Sequence, residues 1–513
     1  MRASFPDCVA GLPASGRHSD RFPSPARCGA NGPRPAVAGA LRELRAAADR
    51  GLAPEDYDVD ALQRQVEAAK GTDSDPDALA RADVALSAVA LQFLADLRFG
   101  RAPPQRVEPH YRAPAKDAAF VAELRDAVAR DRVAALIAAA EPRFPQYARL
   151  KRVLLEYRLL GEQPASTLPP LASPRSKVVT GDAYAGAAAL HAQLVRLGDL
   201  AADSAGPADG RFSEAMAQGL QRFQARHGVQ PDGVLGKETL AALNEPIAAR
   251  VGQIVLSLER MRWLPDLAAG PLIAINIPSF RLWAFASTPE GRDAALSMPV
   301  VVGRAMRTET PVFIGEMRYV EFSPYWNVPP SILRNELLPR LARDPSYLDR
   351  ENMEIVSVRG DGSAHAADVD AAIAALRSGE ARLRQRPGPK NALGGVKFVL
   401  PNTMDVYLHA TPERQLFDRA RRDFSHGCIR VREPEALAAF VLRGRPEWTA
   451  AAIEAAMTSG VNRSVALATP IPVIVFYTTA VVDGEGRPHF LRDVYGHDRK
   501  LLAALRGAGR SVP

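Results

Sequence analysis

The spacing of hydrophobic residues changes near residue 270, and this change constrains the fold more than any other feature of the sequence. Before it, apolar residues recur at the three- and four-residue spacing of helices. After it, they alternate in short runs rich in Val, Ile, Phe and Trp, which is typical of β-strands. Regular helices do not separate these runs, so the pattern favours a β-rich domain with a mixed sheet over repeated βαβ units. The predicted strands are PLIAINIPSFRLWAF, MPVVVGR, EMRYVEFSPYWNVPP, GGVKFVLP, DVYLHA, GCIRV and PVIVFYTTAVV.

The segment before the change divides into several predicted parts. A chain of 513 residues exceeds one hydrophobic core, so about two to four domains are expected. A helical domain is predicted over 37–162, followed by a Pro- and Ser-rich linker over 163–183. A compact unit of three helices follows over 184–246, in which Ser213 is placed to cap the second helix. An amphipathic connecting helix is predicted over 247–269.

The β-rich domain is predicted to extend over 270–500, with a C-terminal tail over 501–513. Inside it, residues 331–390 are charged and have helical periodicity, so they form a predicted helical insertion. An insertion of this length in a strand-rich domain is either a lid that shapes a substrate site or a surface excursion without such a role.

The N-terminal residues 1–36 are excluded from the fold prediction. They lack the apolar stretch of a secretory signal, so they are predicted to be disordered or to result from a misassigned start. The apolar runs at 85–97 and 470–482 are shorter than the roughly 18 to 20 residues that span a bilayer. A transmembrane segment is therefore not expected in this chain.

Charge and cysteine content exclude few functions. The formal net charge is +7, without a long basic block, so a generally solvated surface is favoured over an anionic polymer partner such as nucleic acid or cell wall. The chain contains three cysteines, Cys8, Cys28 and Cys428, and the first two lie in the excluded N-terminus. A disulfide framework is therefore not expected, and Cys428 is either a small buried hydrophobic residue or a reactive group.

Residues 388–431 contain the candidate site. Cys428 lies where a tight turn enters a predicted strand, in the string SHGCIRV. A thiol reacts as a thiolate, and a neighbouring imidazole assists its deprotonation. His409 ends the predicted strand DVYLH, and an adjacent strand would bring its ring beside the sulfur. His426 lies two residues from Cys428 and either points elsewhere or holds the turn.

The residues around the thiol extend this hypothesis. Gly427 permits close approach of the backbone, so the amides of Gly427 and Cys428 are candidate donors to an oxyanion. Arg430 follows Cys428 on the same strand face, where a guanidinium braces the site or binds a carboxylate. Ser425 is a candidate for shaping the turn. A structural role for each residue stays open, and a zinc site is disfavoured because paired ligand spacing is missing.

Two regions of the sequence resemble known families. SHGCIRV, with NALGGVKF and YLHATP upstream, resembles the signature of YkuD-type L,D-transpeptidases over about 270–500. Ala392 stands where that family commonly has Pro, and Ala410 where it often has Gly or Asp. LQRFQARHGVQPDGVLGKETLAALN resembles a small three-helix peptidoglycan-binding domain. The predicted fold class is therefore multidomain α+β, with a helical scaffold domain, a peptidoglycan-binding domain and a β-rich catalytic domain.

The resemblance implies a reaction and a location. Cys428 would attack a tetrapeptide stem as nucleophile, with His409 as the proton donor and acceptor. D-Ala would leave, and a second stem would form a link between two diaminopimelate residues. A metal or organic cofactor is not expected, and carbapenem acylation of Cys428 is. The layout resembles large periplasmic enzymes of Gram-negative bacteria that work with the cell-wall synthesis machinery.

Other activities fit the same residues. Water as the acceptor would make the site an L,D-carboxypeptidase, and another acceptor would attach proteins or free D-amino acids to the wall. A wall-binding scaffold protein with a silent catalytic domain also stays open. A papain-like protease is disfavoured because His409 precedes Cys428, whereas papain-like enzymes have the reverse order.

Overall fold

A computed structural model describes most of the chain from residue 35 onwards. The described residues are 35–69, 76–112, 116, 119–164, 166–173, 176–204, 206–207, 209–266, 270–287, 294–358 and 369–511. The predictions for Cys8, Cys28 and residues 1–34 lie outside this part of the chain.

The chain forms two compact units that are not continuous in sequence. The first comprises Met1–Ala46, Tyr57–Asp96 and Ala118–Ala140, and the second comprises Ala47–Asp56, Leu97–Asp117 and Glu141–Pro513. The predicted helical domain over 37–162 is therefore divided between the two units. Its last helix, α6, packs against the connecting helix α10 inside the second unit.

The helices before residue 270 agree in position with periodic segments of the sequence. The helices are α1 Pro35–Arg45, α2 Val59–Ala68, α3 Pro76–Phe99, α4 Phe120–Ala129, α5 Val133–Ala140, α6 Pro145–Glu162, α7 Ala187–Arg196, α8 Glu214–Arg226, α9 Lys237–Leu243, α10 Ile247–Trp263, α11 Pro330–Ile332, α12 Leu338–Leu341, α13 Tyr347–Arg350, α14 Val369–Ser378, α15 Pro434–Val441, α16 Ala450–Thr458 and α17 His497–Gly507. Of these, α15, α16 and α17 were not predicted. The predicted tail 501–513 is wrong in part, because α17 includes Leu501 and Leu505 in the core of the β-rich domain.

Helix α3 differs from the sequence prediction about membrane spans. Within the described ranges, it is the one helix long and apolar enough to cross a membrane by length and composition. The prediction considered only the apolar-rich run at 85–97, and it was too strict on this measure. Leu86, Ala90 and Phe93 are nevertheless buried. The buried Asp96 carboxylate accepts a 2.9 Å hydrogen bond from the Tyr57 hydroxyl.

Helices α7, α8 and α9 form the predicted three-helix unit around its own hydrophobic core. Ser213 caps α8, because its Oγ accepts a hydrogen bond from the Met216 amide at 3.3 Å. The buried Gln224 side chain accepts from the Gly233 amide at 2.8 Å and donates to Asp232 at 2.9 Å. Asp232 and Gly233 therefore shape the turn before α9.

The three-helix unit contacts both the predicted linker and the β-rich domain. The Asn244 side chain hydrogen-bonds both the amide and the carbonyl of Leu168, so part of the linker packs on this unit. On α8, Arg226 forms a buried ion pair with Asp199 and donates to the Pro488 carbonyl at 2.6 Å. A guanidinium buried in this way needs both partners to offset its desolvation.

The strands form one large mixed sheet and two small ones. They are β1 Leu272–Asn276, β2 Arg281–Phe285, β3 Leu296–Gly303, β4 Phe313–Phe322, β5 Trp326–Asn327, β6 Met353–Ser357, β7 Ala381–Gln385, β8 Val396–Val399, β9 Leu408–His409, β10 Asp423–Ser425, β11 Ile429–Val431, β12 Arg463–Phe476, β13 Ala480–Val482 and β14 Pro488–Phe490.

The large sheet has nine strands in the order β10-β3-β11-β9-β8-β4-β12-β1-β2. β2 also pairs with β3, so the ladder closes on itself around a core of Val, Ile, Leu and Phe side chains. β10 pairs with β3 in parallel and β11 pairs with it antiparallel. The connection between β10 and β11, which consists of His426, Gly427 and Cys428, therefore crosses the end of β3.

The predicted helical insertion over 331–390 contains strands as well as helices. Helices α11 and α12 are joined by a π-helical turn, and α13 and α14 follow. β6 and β7 pair with each other, and β7 also pairs with β5, which gives a three-stranded antiparallel sheet. The strand MEIVS is short and lies between charged residues, which explains why helical periodicity dominated the sequence pattern.

Candidate active site

The turn between β10 and β11 is held by the side chain of Ser425 and by the backbone conformation of Gly427. Gly427 has φ +114°, a conformation that L side chains rarely adopt. Ser425 Oγ donates to the Cys428 carbonyl at 2.5 Å and accepts from the Gly427 amide at 3.2 Å. The Gly427 amide is therefore already paired. In the described part of the chain, the Cys428 amide has no hydrogen-bond acceptor, so of the two predicted oxyanion donors this one is available.

Cys428 is partly exposed, and its thiol donates a long 3.5 Å hydrogen bond to the Asp405 carbonyl. Burial raises the pKa of the thiol above its ordinary value. The amide and hydroxyl of Tyr407 and the positive charge of Lys397 oppose this rise in the pKa. The resting group at neutral pH is therefore the thiol, and a base has to accept its proton during attack.

His409 lies on the neighbouring parallel strand, β9. Its strand partner is Arg430, while Ile429 pairs with Leu408, so Cys428 and His409 are offset along the ladder. His409 Nδ1 lies 2.5 Å from the Ala410 carbonyl oxygen and donates to it, which leaves Nε2 with a lone pair. Burial, reinforced by Arg430, lowers the pKa of His409 to about 3. Both residues are described, and no hydrogen bond joins the imidazole to the thiol in this structure.

The other predicted site residues point towards flanking segments. Arg430 forms an ion pair with Glu413, which lies just beyond His409. His426 is exposed, and its Nε2 lies 2.7 Å from Glu336 in the insertion. The turn therefore contacts the insertion through His426. Arg430 braces the segment after β9 through its ion pair with Glu413.

Three residues without a predicted role lie at this site. The Tyr407 ring lies 5.7 Å from the His409 ring, and Lys397 Nζ lies 4.2 Å from the Tyr407 ring centroid. The alternation of a strand places Tyr407 on the face of His409, a signal that was available in the sequence. Thr310 donates to the Gly427 carbonyl at 2.8 Å from 117 residues away in sequence. Sequence spacing contains no signal for this contact.

The arrangement provides the groups needed for acyl transfer. The Cys428 thiol and the unpaired Cys428 amide lie in the turn before β11. The neutral His409 imidazole, with the lone pair on Nε2, lies on the adjacent strand β9. An acyl carbonyl attacked by the sulfur would find a hydrogen-bond donor for its developing negative charge. Within the described ranges, no cluster of three His, Cys, Asp or Glu side chains could hold a metal ion.

Comparison with family models assigns three segments of the chain. Residues 270–449 match the L,D-transpeptidase catalytic domain, the class of domain that this fold and site define. Residues 185–243 match the "Putative peptidoglycan binding domain", and residues 23–154 match the "Scaffold domain". Over these residues, the chain therefore carries segments that match an L,D-transpeptidase catalytic domain and a peptidoglycan-binding domain.

One curated relative is a "Putative L,D-transpeptidase" of Haemophilus influenzae, 32% identical over 256 residues. The match covers 49% of this chain and 49% of the relative, so the chain spans about half the length of that relative. A solved structure of a fused Zn-dependent amidase/peptidase and peptidoglycan-binding protein from Clostridium acetobutylicum is 12% identical, with a TM-score of 0.18, and covers 59% of this chain and 100% of its own. A TM-score this low supports no argument about the fold.

Proposed function

We propose that this protein cross-links peptidoglycan stem peptides through a thioester on Cys428. The sulfur attacks the carbonyl between diaminopimelate and the terminal D-Ala of a tetrapeptide stem, while His409 Nε2 accepts the thiol proton. The carbon–nitrogen bond breaks, and the same proton passes to the departing amine of D-Ala. The amine of diaminopimelate on a second stem then attacks the thioester, which restores the thiol and joins the two diaminopimelate residues.

The observation that supports this proposal most directly is the Nδ1 hydrogen bond of His409. With Nδ1 donating to the Ala410 carbonyl, Nε2 is the nitrogen that accepts a proton. The low pKa of His409 keeps this nitrogen free of a proton at neutral pH. The proposal requires the thiol and Nε2 to approach each other when substrate binds, as catalytic hydrogen bonds often tighten only in the substrate complex.

The remaining domains support a location at the wall. We place the enzyme in the periplasm, with residues 184–246 binding the glycan of the same polymer that the catalytic domain modifies. The boundaries predicted for 270–500 and the insertion at 331–390 are part of this proposal, with the insertion as a substrate lid. Its contact with the catalytic turn through Glu336 and His426 favours that role over a detached excursion.

The decisive experiment follows the products of the purified chain by mass spectrometry. Tetrapeptide muropeptides are incubated with the protein and with its Cys428→Ala variant. Loss of D-Ala together with a cross-linked dimer, both absent in the variant, is the expected result. A tripeptide without dimer would identify an L,D-carboxypeptidase instead. Unchanged substrate, combined with unmodified Cys428 after carbapenem treatment, would contradict catalysis and favour a wall-binding scaffold protein.

A further inference from the structure

The turn that contains Cys428 is covered on one side by the loop that follows β3. This loop, residues 304–310, returns so closely over Gly303 that a Cβ there would lie 1.9 Å from the Thr308 carbonyl oxygen. Arg304 donates its amide to the Ser425 carbonyl at 2.9 Å, and the Thr308 hydroxyl donates to the same carbonyl at 3.0 Å. The loop therefore fixes the start of the turn.

Thr310 fixes the other end of the turn. Its side chain is fully buried, and its Oγ1 accepts a hydrogen bond from the Gly303 amide at 2.8 Å. With that lone pair occupied, the hydroxyl hydrogen is directed to the Gly427 carbonyl, which lies 2.8 Å away. Tyr495 holds Thr310 in place, because its hydroxyl accepts from the Thr310 amide and donates to the Gly303 carbonyl.

The direction of the Gly427 carbonyl determines the direction of the next amide. In a trans peptide the C=O and the following N–H lie in one plane and point in opposite directions. The carbonyl of Gly427 faces the buried Thr310, so the N–H of Cys428 faces away from it. Gly427 itself, at φ +114°, offers little resistance to a rotation of this peptide.

We infer that Thr310 is a positioning residue that aims the Cys428 amide at the oxyanion formed during acylation. This inference rests on the proposed thioester mechanism and adds to it a residue that does not touch the substrate. Without the Thr310 hydroxyl, the peptide between Gly427 and Cys428 loses the hydrogen bond that fixes it, and the Cys428 amide is no longer preorganised.

Two reagents for the same sulfur separate this role from a general structural one. A carbapenem acylates the thiol through a tetrahedral oxyanion, whereas iodoacetamide alkylates it by displacement of iodide without one. In Thr310→Val we expect the carbapenem acylation rate to fall about 10- to 100-fold, somewhat less than the loss of an oxyanion donor itself. The alkylation rate is expected to stay within about twofold, because displacement of iodide forms no oxyanion.

Two further variants complete the test. Thr310→Ser keeps the hydroxyl and is expected to restore most of the acylation rate. Thr478→Val is the matched control, because Thr478 is also buried in this domain but its Oγ1 has no hydrogen-bond partner among the described residues. If Thr310→Val does not fold, Thr310→Ala takes its place in the test, because it removes the same hydroxyl without adding a methyl group.

The outcomes distinguish this inference from the proposed function. Acylation that is unchanged in Thr310→Val, or that falls in parallel with alkylation, would overturn the positioning role while leaving the thioester mechanism intact. A wild-type protein whose Cys428 is alkylated but never acylated would overturn both. Selective loss of acylation in the Val variant, with recovery in the Ser variant, is the result that supports the inference.

Discussion

His409 donates from Nδ1 to the carbonyl of Ala410, its own neighbour in the chain, at 2.5 Å. Since a backbone carbonyl fixes the ring, the side chain at position 410 is not needed for this purpose. This explains how Ala replaces the Gly or Asp that often follows the histidine in the resembled family. It also leaves the imidazole neutral and oriented, in a site where burial keeps its pKa at about 3.

Removing this base should slow acylation of Cys428 at neutral pH. In His409→Gln we expect carbapenem acylation to fall about 10²- to 10⁴-fold, the usual contribution of a general base. The defect should shrink at pH 10, where hydroxide removes the thiol proton without the imidazole. Stopped-flow measurement of acylation checks this, with His191→Gln as a control, because His191 hydrogen-bonds Ser204 in the three-helix unit. An equal defect at both pH values would argue against the base role.

The thiol of Cys428 should titrate above the ordinary value of 9.0, since burial raises its pKa. Its alkylation rate is expected to increase steadily with pH and to reach half of its maximum only above pH 9. The neutral form of His409 persists down to about pH 3, so we expect no second step in the profile near pH 6. Iodoacetamide alkylation followed by peptide mass spectrometry isolates Cys428 from Cys8 and Cys28. A half-maximum near pH 6 would instead indicate a preformed thiolate–imidazolium pair.

Gly427→Ala should damage both stability and acylation. Its φ of +114° is strained for a residue with a Cβ, which costs about 1–3 kcal/mol in the free energy of unfolding. Gly444→Ala is the matched control, because Gly444 has φ +83° and open space around it. We expect denaturation to show a comparable loss of stability in both variants and acylation to fall in Gly427→Ala alone. A parallel loss of acylation would show that instability by itself slows the reaction.

Breaking the buried ion pair between Arg226 and Asp199 should destabilise the protein strongly. Arg226→Met leaves a carboxylate buried without its partner, which is expected to cost about 3–5 kcal/mol in the free energy of unfolding. Arg211→Met removes the partner of the exposed Asp209 and is expected to cost less than about 1 kcal/mol. Urea denaturation measures both. Similar losses in the two variants would mean that the buried pair contributes no more than a surface pair.

The sequence was a good guide to elements whose periodicity is local. Most strands of the large sheet and the helices α7, α8 and α9 lie where alternation and helical spacing predicted them, whereas β10 and β14 were not predicted. The division of the helical segment between two units was not predictable, because it depends on α6 packing with α10, about 100 residues later in the chain. The strands of the insertion were missed because β6 is short and its neighbours are charged.

Contacts within the active site were harder to predict from the sequence than the positions of helices and strands. A strand neighbour of His409 such as Tyr407 follows from alternation, whereas the ion pair of Arg430 with Glu413 depends on how the chain turns after β9. The amides of Gly427 and Cys428 were both predicted as oxyanion donors. The hydrogen bond that the Gly427 amide donates to the Ser425 hydroxyl was not predicted. A side-chain rotamer decides this, and spacing in the sequence does not encode it.

The segment that contains Cys428 crosses the end of β3. The strands β10 and β11 therefore pair with β3 on either side instead of forming a hairpin with each other. The sulfur is thus fixed by a strand that lies more than a hundred residues earlier in the chain. Changes in length at the insertion or in the flanking domains leave this crossing intact, because β10 and β11 are direct neighbours of β3 in the sheet. A single-residue deletion in the loop 304–310 would instead shift the reactive group itself. The architecture therefore permits exchange of the surrounding domains during evolution while restricting length variation to segments away from that loop.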